Sequence, residues 1–201
     1  MAVETELEPL PLSADATARA SQHAAVRARL ELLLEGEDDW FAALATVACE
    51  LHAAFEYFHW CGWYRAVPST GAAARAADGT ASSAAAQQQQ QPRRELVVGP
   101  YQGSHGCLRI AFGRGVCGTA AATRRTQLVP DVRAFPGHIA CAASTRSELV
   151  VPLLSPSGDA LAVLDVDSDH QAAFLETDAT ALEALCAWLG GRRWRRWDGL
   201  A

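Results

Sequence analysis

Three shortages bound this chain before any motif is read. Basic charge is in deficit: 17 Lys and Arg stand against 23 Asp and Glu, a formal net charge of -6 over 201 residues. Nucleic-acid binders normally show the reverse balance, which argues against that class, and the acidity suits a soluble, monodisperse protein. Long apolar runs are also missing; none reaches the roughly 18 residues of a membrane span. The first residues carry Glu4, Glu6 and Glu8. A secretory leader needs a positive start and an apolar block, and a mitochondrial presequence needs arginine without acids. The expected location is therefore the cytoplasm.

Cysteine is sparse for a disulfide scaffold. The six are Cys49, Cys61, Cys107, Cys117, Cys141 and Cys186. In a reducing compartment persistent structural disulfides are not expected, so each is a core residue, a metal ligand or a redox group. Internal repeats are absent.

What is present suits one domain with additions. Half the residues are hydrophobic, enough for a sizeable core. Residues 1–12 read as a disordered acidic leader, 13–190 as the domain and 191–201 as a basic aromatic tail. Ser13 can cap a first helix that Gly36 ends. Asp38 or Asp39 can cap a second, in which Trp40, Leu44, Val47, Leu51 and Phe55 make one buried stripe. Residues 58–64 are aromatic-rich and strand-like. Residues 66–93, rich in Ala, Ser and Gly with Gln87 to Gln91, read as a low-complexity insertion expanding a hairpin loop. Strands are predicted over 95–98, 107–110, 126–129, 147–154 and 160–166. A turn is predicted at 99–103, a small-residue helix over 116–123 and a final helix over 176–188 with Leu182, Leu185 and Leu189 on one face. Helices at both ends of hairpin-connected strands predict an α+β fold, with a central antiparallel sheet flanked by N- and C-terminal helices.

Unusual residues concentrate between Gly99 and Ser168. Asp165 and Asp167 alternate with Val166, so they share one face of a strand, and Glu148 opens the neighbouring strand. Three converging carboxylates raise at least one pKa, which leaves a proton to donate and negative charge to hold an ammonium group. Water-facing strand ends are the commoner reading of such a pattern. Cys117 opens a helix, where the N-terminus would stabilise a thiolate. Cys141 lies in a loop beside His138, and Cys107 in a short strand. Cys49, Cys61 and Cys186 sit inside elements and read as core. A zinc set of His138, Cys141, Cys107 and Cys117 lacks a second short-spaced ligand pair, so no metal is expected. The 113–118 run lacks the phosphate-loop lysine.

These segments resemble a known family. Gly99-Pro100-Tyr101-Gln102-Gly103, Cys107-Leu108-Arg109-Ile110, Gly113-Arg114-Gly115-Val116-Cys117-Gly118, Gly137-His138-Ile139-Ala140-Cys141, Ser147-Glu148-Leu149-Val150 and Leu164-Asp165-Val166-Asp167-Ser168 are similar to the free methionine-(R)-sulfoxide reductases. So is Trp60-Cys61-Gly62-Trp63-Tyr64. The resemblance implies a GAF domain and reduction of free L-methionine (R)-sulfoxide, with no bound cofactor. It implies thioredoxin, fed by NADPH and thioredoxin reductase, as external reductant. On that match Cys141 is the nucleophile and Cys107 the resolving cysteine. Cys117 is a third that can share the resolving role, and an order in which it attacks first stays open. Glu148, Asp165 and Asp167 match the substrate-binding carboxylates, Trp60 and Tyr64 the aromatic walls. A homodimer is compatible with the family.

Departures are Ala142, where the family usually has Asp, the insertion close to Tyr64, and the Arg-Trp tail. A basic aromatic tail suits a partner or an anionic surface, or simply a snorkelling helix end. Competing readings are a non-catalytic GAF module that senses a small ligand, and a zinc-stabilised interaction domain.

Overall fold

The computed structural model describes residues 7–69 and 94–194. A single six-stranded sheet organises them, in the order β3-β2-β1-β6-β5-β4, with every neighbouring pair antiparallel. The strands are β1 (Trp60–Pro68), β2 (Arg94–Gln102), β3 (Arg109–Ala111), β4 (Gln127–Val129), β5 (Ser147–Leu154) and β6 (Ala160–Ser168). The helices are α1 (Ala16–Leu33), α2 (Trp40–Ala54), α3 (Gly115–Thr123) and α4 (Glu176–Gly191). This is the α+β architecture that the alternation of periods predicts.

Strand alternation sorts the side chains into two cores. Cys61, Trp63, Leu149, Val151, Leu164 and Val166 bury against the helical side with Leu30, Leu44, Leu51 and Leu182. Tyr64, Leu96, Val150 and Val163 turn to the other face, under α3 and the 131–146 loop, with Ile110, Val116 and Cys117. Each fully buried aliphatic side chain contributes roughly 2 kcal/mol. The predicted α2 stripe is buried as expected, and Asp39 caps that helix by accepting from the N–H groups of Phe41 and Ala42. Leu182, Leu185 and Leu189 are likewise buried.

Several expectations are corrected. Asp15, not Ser13, caps α1, since its side chain reaches the Ala18 N–H. Residues 7–12 of the expected leader are ordered: Leu7, Leu10 and Leu12 pack on the helical core, Leu10 bridges Phe55, and Arg19 holds the Leu12 carbonyl. Residues 1–6 lie outside the described residues. The 99–102 stretch continues β2 instead of turning, because Tyr101 and Gln102 pair with Gly62 and Cys61. Cys107 precedes β3 and is not part of it. β1 runs to Pro68, paired with Arg94, so only residues 70–93 of the expected insertion fall outside the description. The hairpin thus ends four residues beyond Tyr64, roughly 13 Å along the strand. Cys49 is exposed, not core; it stands two residues from Leu51, about 200° around the helix from the buried stripe. Cys61 and Cys186 are buried. The start of the tail folds back: Arg192 donates to the Leu34 and Glu37 carbonyls, and the Trp194 indole donates to the Leu189 carbonyl. The remaining tail, 195–201, lies outside the described residues. Among the described residues no helix is long and apolar enough to cross a membrane.

Candidate active site

Register on three strands assembles the site. Trp60 of β1 stands opposite Asp167 of β6, which stands opposite Glu148 of β5. One step along, Gly62 faces Asp165, and Asp165 faces Val150. Side chains two apart share a face, so the aromatics of β1 and the carboxylates of β5 and β6 look into one space. That space is a narrow cleft, open to solvent, between the sheet, α3 and the loop bearing Cys141.

One wall is aromatic. The Trp60 ring stacks on Tyr64 at 5.7 Å and on Tyr101 at 5.3 Å, and its indole N–H donates to the Ser104 carbonyl at 2.9 Å. Gly106 lets the loop lie flat on this wall. A Cβ there would stand 2.8 Å from the Tyr64 Oη and 3.1 Å from the Trp60 ring.

The floor is acidic and includes a thiol. Glu148 and Asp165 are 6% and 5% exposed, and the buried Cys117 Sγ donates to Glu148 Oε1 at 3.7 Å. Asp165 Oδ1 is buried with no hydrogen-bond partner. The His138 Nε2 lies 4.0 Å from Glu148 Oε2. At the mouth, Cys107 and Cys141 are joined as a disulfide, their Cα atoms 5.2 Å apart across 34 residues of chain. Every candidate residue read from the sequence therefore lies at one cavity or bonded to its rim.

Burial controls the electrostatics. It raises the Asp165 carboxyl to about 6, against hydrogen bonds from Cys117 and Glu148 that pull it down. Glu148 is raised by burial and then by the charges of Asp165 and Asp167. Asp167 is raised by burial and then by Asp165 and Asp169. Asp165, at about 6, therefore gives up most of its proton by neutral pH, while Glu148 and the half-buried Asp167 are pushed up toward the protonated form. Burial lowers His138, which keeps it neutral, and raises the Tyr64 phenol, with Asp165 adding to the effect.

Cys117 corrects an expectation. A helix N-terminus favours a thiolate by about 1 kcal/mol at an exposed position and by up to about 2 kcal/mol where it is partly buried. Here burial raises the thiol well above its usual range, and Asp165 and Glu148 raise it further. Desolvation and like charge outweigh the helix end.

A raised carboxyl is a cost to folding. Asp165 ionises near 3.9 when unfolded, so stability falls as pH rises from there through its folded value of about 6. Asp165→Asn is expected to stabilise the fold at pH 7 by at most about 3 kcal/mol and to change it little at pH 4. Urea denaturation at both pH values checks this. An equal effect at pH 4 and pH 7 would remove ionisation as the cause.

The lining residues His105 and Thr145 carried no sequence signal. They come from loops, where no periodicity marks a face. Tyr101 was legible in principle, since continued alternation along β2 would have placed it on the wall. The zinc set weighed from sequence does not assemble, because the Cys107–Cys141 bond takes two of its four donors. A different trio, Cys117, Glu148 and Asp165, brings three ligand atoms within 4.8 Å of one another.

A six-stranded antiparallel sheet with long helices on one face and a cleft under a short helix on the other has the architecture of a GAF domain, and the GAF domain family model matches residues 39–192. Free methionine-R-sulfoxide reductase of Escherichia coli is 35% identical over 157 residues, 78% of this chain and 79% of that protein. Its Saccharomyces cerevisiae counterpart is 51% identical over 90 residues, so the chain spans 50% of that relative and 45% of itself is matched. The X-ray structure of free methionine-R-sulfoxide reductase from Neisseria meningitidis in complex with its substrate superposes with a TM-score of 0.71, at 39% identity, covering 92% of each chain. The chain belongs to the free methionine-R-sulfoxide reductase family of GAF-domain proteins.

Proposed function

We propose that this protein reduces free L-methionine (R)-sulfoxide to methionine through a cysteine sulfenic acid and an intramolecular disulfide recycled by thioredoxin. The observation that carries the reading is the pairing of Cys107 with Cys141 at the mouth of a carboxylate-floored, aromatic-walled cavity. A thiol pair able to bond there is a two-electron store beside a site for a small cation.

The Cys141 thiolate attacks the sulfoxide sulfur. Oxygen passes to the cysteine sulfur, the S–O bond of the substrate is lost, and methionine leaves with its thioether restored. Cys107 then displaces hydroxide from the sulfenic acid, forming the disulfide and water. In sum, two thiols and a sulfoxide give a disulfide, a thioether and water. A thioredoxin dithiol returns the pair to thiols. NADPH and thioredoxin reductase supply those electrons in the cytoplasm.

The carboxyl cluster divides two tasks. A group that keeps its proton near neutrality, such as Glu148, can donate to the sulfoxide oxygen as it gains charge. An ionised neighbour holds the substrate ammonium. Trp60 and Tyr64 shelter the methyl and methylene carbons and exclude water. A site that holds a free ammonium among buried carboxyls would reject a chain continuing from that amino group.

NADPH oxidation, coupled through thioredoxin and its reductase, tests the reading. Turnover is expected with free methionine (R)-sulfoxide and not with the S form or a methionine-sulfoxide peptide. No turnover of the R form would overturn it in favour of a ligand-sensing module.

A further inference from the structure

We propose that the cavity floor is a binding site for a tetrahedral divalent cation of the zinc type, held by Cys117, Glu148 and Asp165 with His138 as fourth ligand, and that this cation excludes substrate.

The donor set is what argues for a metal. A thiol, a carboxylate and an imidazole are each a ligand type that zinc accepts, and four such donors suffice for a tetrahedral site. The three nearest donor atoms lie within 4.8 Å of one another, all on buried residues. Zinc–sulfur and zinc–oxygen bonds of about 2.3 and 2.0 Å at a tetrahedral angle separate sulfur from oxygen by about 3.5 Å. Cys117 Sγ and Glu148 Oε1 stand at 3.7 Å, so this pair is already spaced as two ligands of one ion. His138 Nε2, at 4.0 Å from Glu148 Oε2, stands beside the trio as the nearest imidazole donor.

A second, independent observation is the state of Asp165. Its side chain is only 5% exposed, lines the cavity, and leaves Oδ1 without any hydrogen-bond partner. A buried carboxylate oxygen with no donor carries a desolvation cost of about 1–3 kcal/mol, which a cation would remove. Like-charge repulsion among the acids would be relieved at the same time. Metal binding would displace the protons that these groups retain.

The set uses neither Cys107 nor Cys141, so the site is complete while those two are bonded. It does share Glu148 and Asp165 with the proposed ammonium cradle. Occupancy by the cation and by a free amino acid is then mutually exclusive. Binding itself does not depend on the reductase reading; only the competition does.

Cobalt(II) serves as a spectroscopic stand-in for zinc in a titration of the fully oxidised protein, with the Cys107–Cys141 bond intact. One equivalent is expected to bind, with a thiolate-to-cobalt charge-transfer band and tetrahedral d–d absorption, and zinc is expected to displace it. Cys117→Ser should abolish the charge-transfer band. Asp165→Asn should weaken affinity by tenfold or more, about 1.4 kcal/mol. Cys49→Ser, at an exposed position away from the cavity, should leave the band unchanged. A band that survives Cys117→Ser, or that disappears with Cys49→Ser, would overturn the proposal, as would no thiolate band in the oxidised wild-type protein. Zinc is then expected to raise KM for the sulfoxide without lowering kcat. If cobalt binds as described but no sulfoxide is turned over, the metal site stands and the reductase reading falls.

Discussion

Cys141→Ser is expected to abolish reduction of methionine (R)-sulfoxide, in steady state and in a single turnover. The reaction needs a nucleophile that can take up oxygen and then be attacked in turn. A serine hydroxyl is not ionised near neutrality and cannot form a sulfenic acid. Cys141 lines the cavity and is bonded to Cys107, so it faces both the proposed substrate space and the proposed resolving cysteine. Cys107→Ser should behave differently. It should release one methionine per chain and then stop, with a sulfenic acid on Cys141 that dimedone traps. Rapid quench with methionine quantification, and mass spectrometry of the trapped adduct, separate the two variants. A methionine burst from Cys141→Ser would transfer the attack to Cys117. The environment of Cys117 opposes that order, since burial and the charges of Asp165 and Glu148 hold its thiol protonated.

The second large effect concerns stability, away from the cavity. Asp178, in the first turn of α4, is fully buried. Arg19 of α1 donates to its Oδ2 at 2.6 Å, His23 meets Oδ1 at 2.9 Å, and the Tyr57 hydroxyl donates to Oδ1 at 3.1 Å. The Leu175 N–H donates to Oδ2, which ties the start of α4 to the same carboxylate. Arg19 also stacks 4.4 Å over the Tyr57 ring and holds the Ala173 carbonyl. Removing one member of a buried ionic network leaves the others desolvated and uncompensated. Asp178→Ala is expected to cost about 3–5 kcal/mol and to lower Tm by roughly 10 °C. Calorimetry checks it, and a shift of under about 1 °C would show that water enters and replaces the carboxylate.

The pH dependence has a definite sign. Burial alone would raise Asp178, but His23, the Leu175 N–H and Arg19 together hold it below its usual value. A depressed carboxyl contributes stability above its unfolded pKa of about 3.9 and loses it as pH falls through the folded value. Wild-type protein should therefore lose this contribution in acid, and Asp178→Ala should have little left to lose there. The Asp165 effect runs the opposite way, because that carboxyl is raised and not lowered. The two aspartates differ in partners more than in burial: Asp178 faces a guanidinium, Asp165 faces other acids.

Periodicity made much of the fold legible. The α2 and α4 stripes follow from spacing alone, because burial on one face requires apolar residues at the period of the element, and the β5–β6 hairpin follows from two apolar runs joined by the Ser155-Pro156-Ser157-Gly158-Asp159 turn signal. The shared face of Asp165 and Asp167 was legible for the same reason. Failures gathered where local signals are weak or overridden. Ser13 and Asp15 are both good caps, and it is the Asp15 side chain that accepts from the Ala18 N–H. The Gly-Pro pair at 99–100 signals a turn, yet pairing with β1 keeps the strand going to Gln102. Leu7, Leu10 and Leu12 looked like leader residues because nothing nearby shows the core surface they cover.

The sequence by itself determined that this protein is an α+β domain with three cysteines and three carboxylates gathered in one stretch of chain. It also determined the family resemblance and with it the expected roles. Tertiary structure alone decided how those groups are charged and paired. Strand register brought Glu148, Asp165 and Trp60 to one cavity. Loop closure over 34 residues joined Cys107 to Cys141. Depth below the surface reversed the expected effect on Cys117, because a thiol's ionisation depends on the water and charges around it in space, and a helix start read from sequence reports neither.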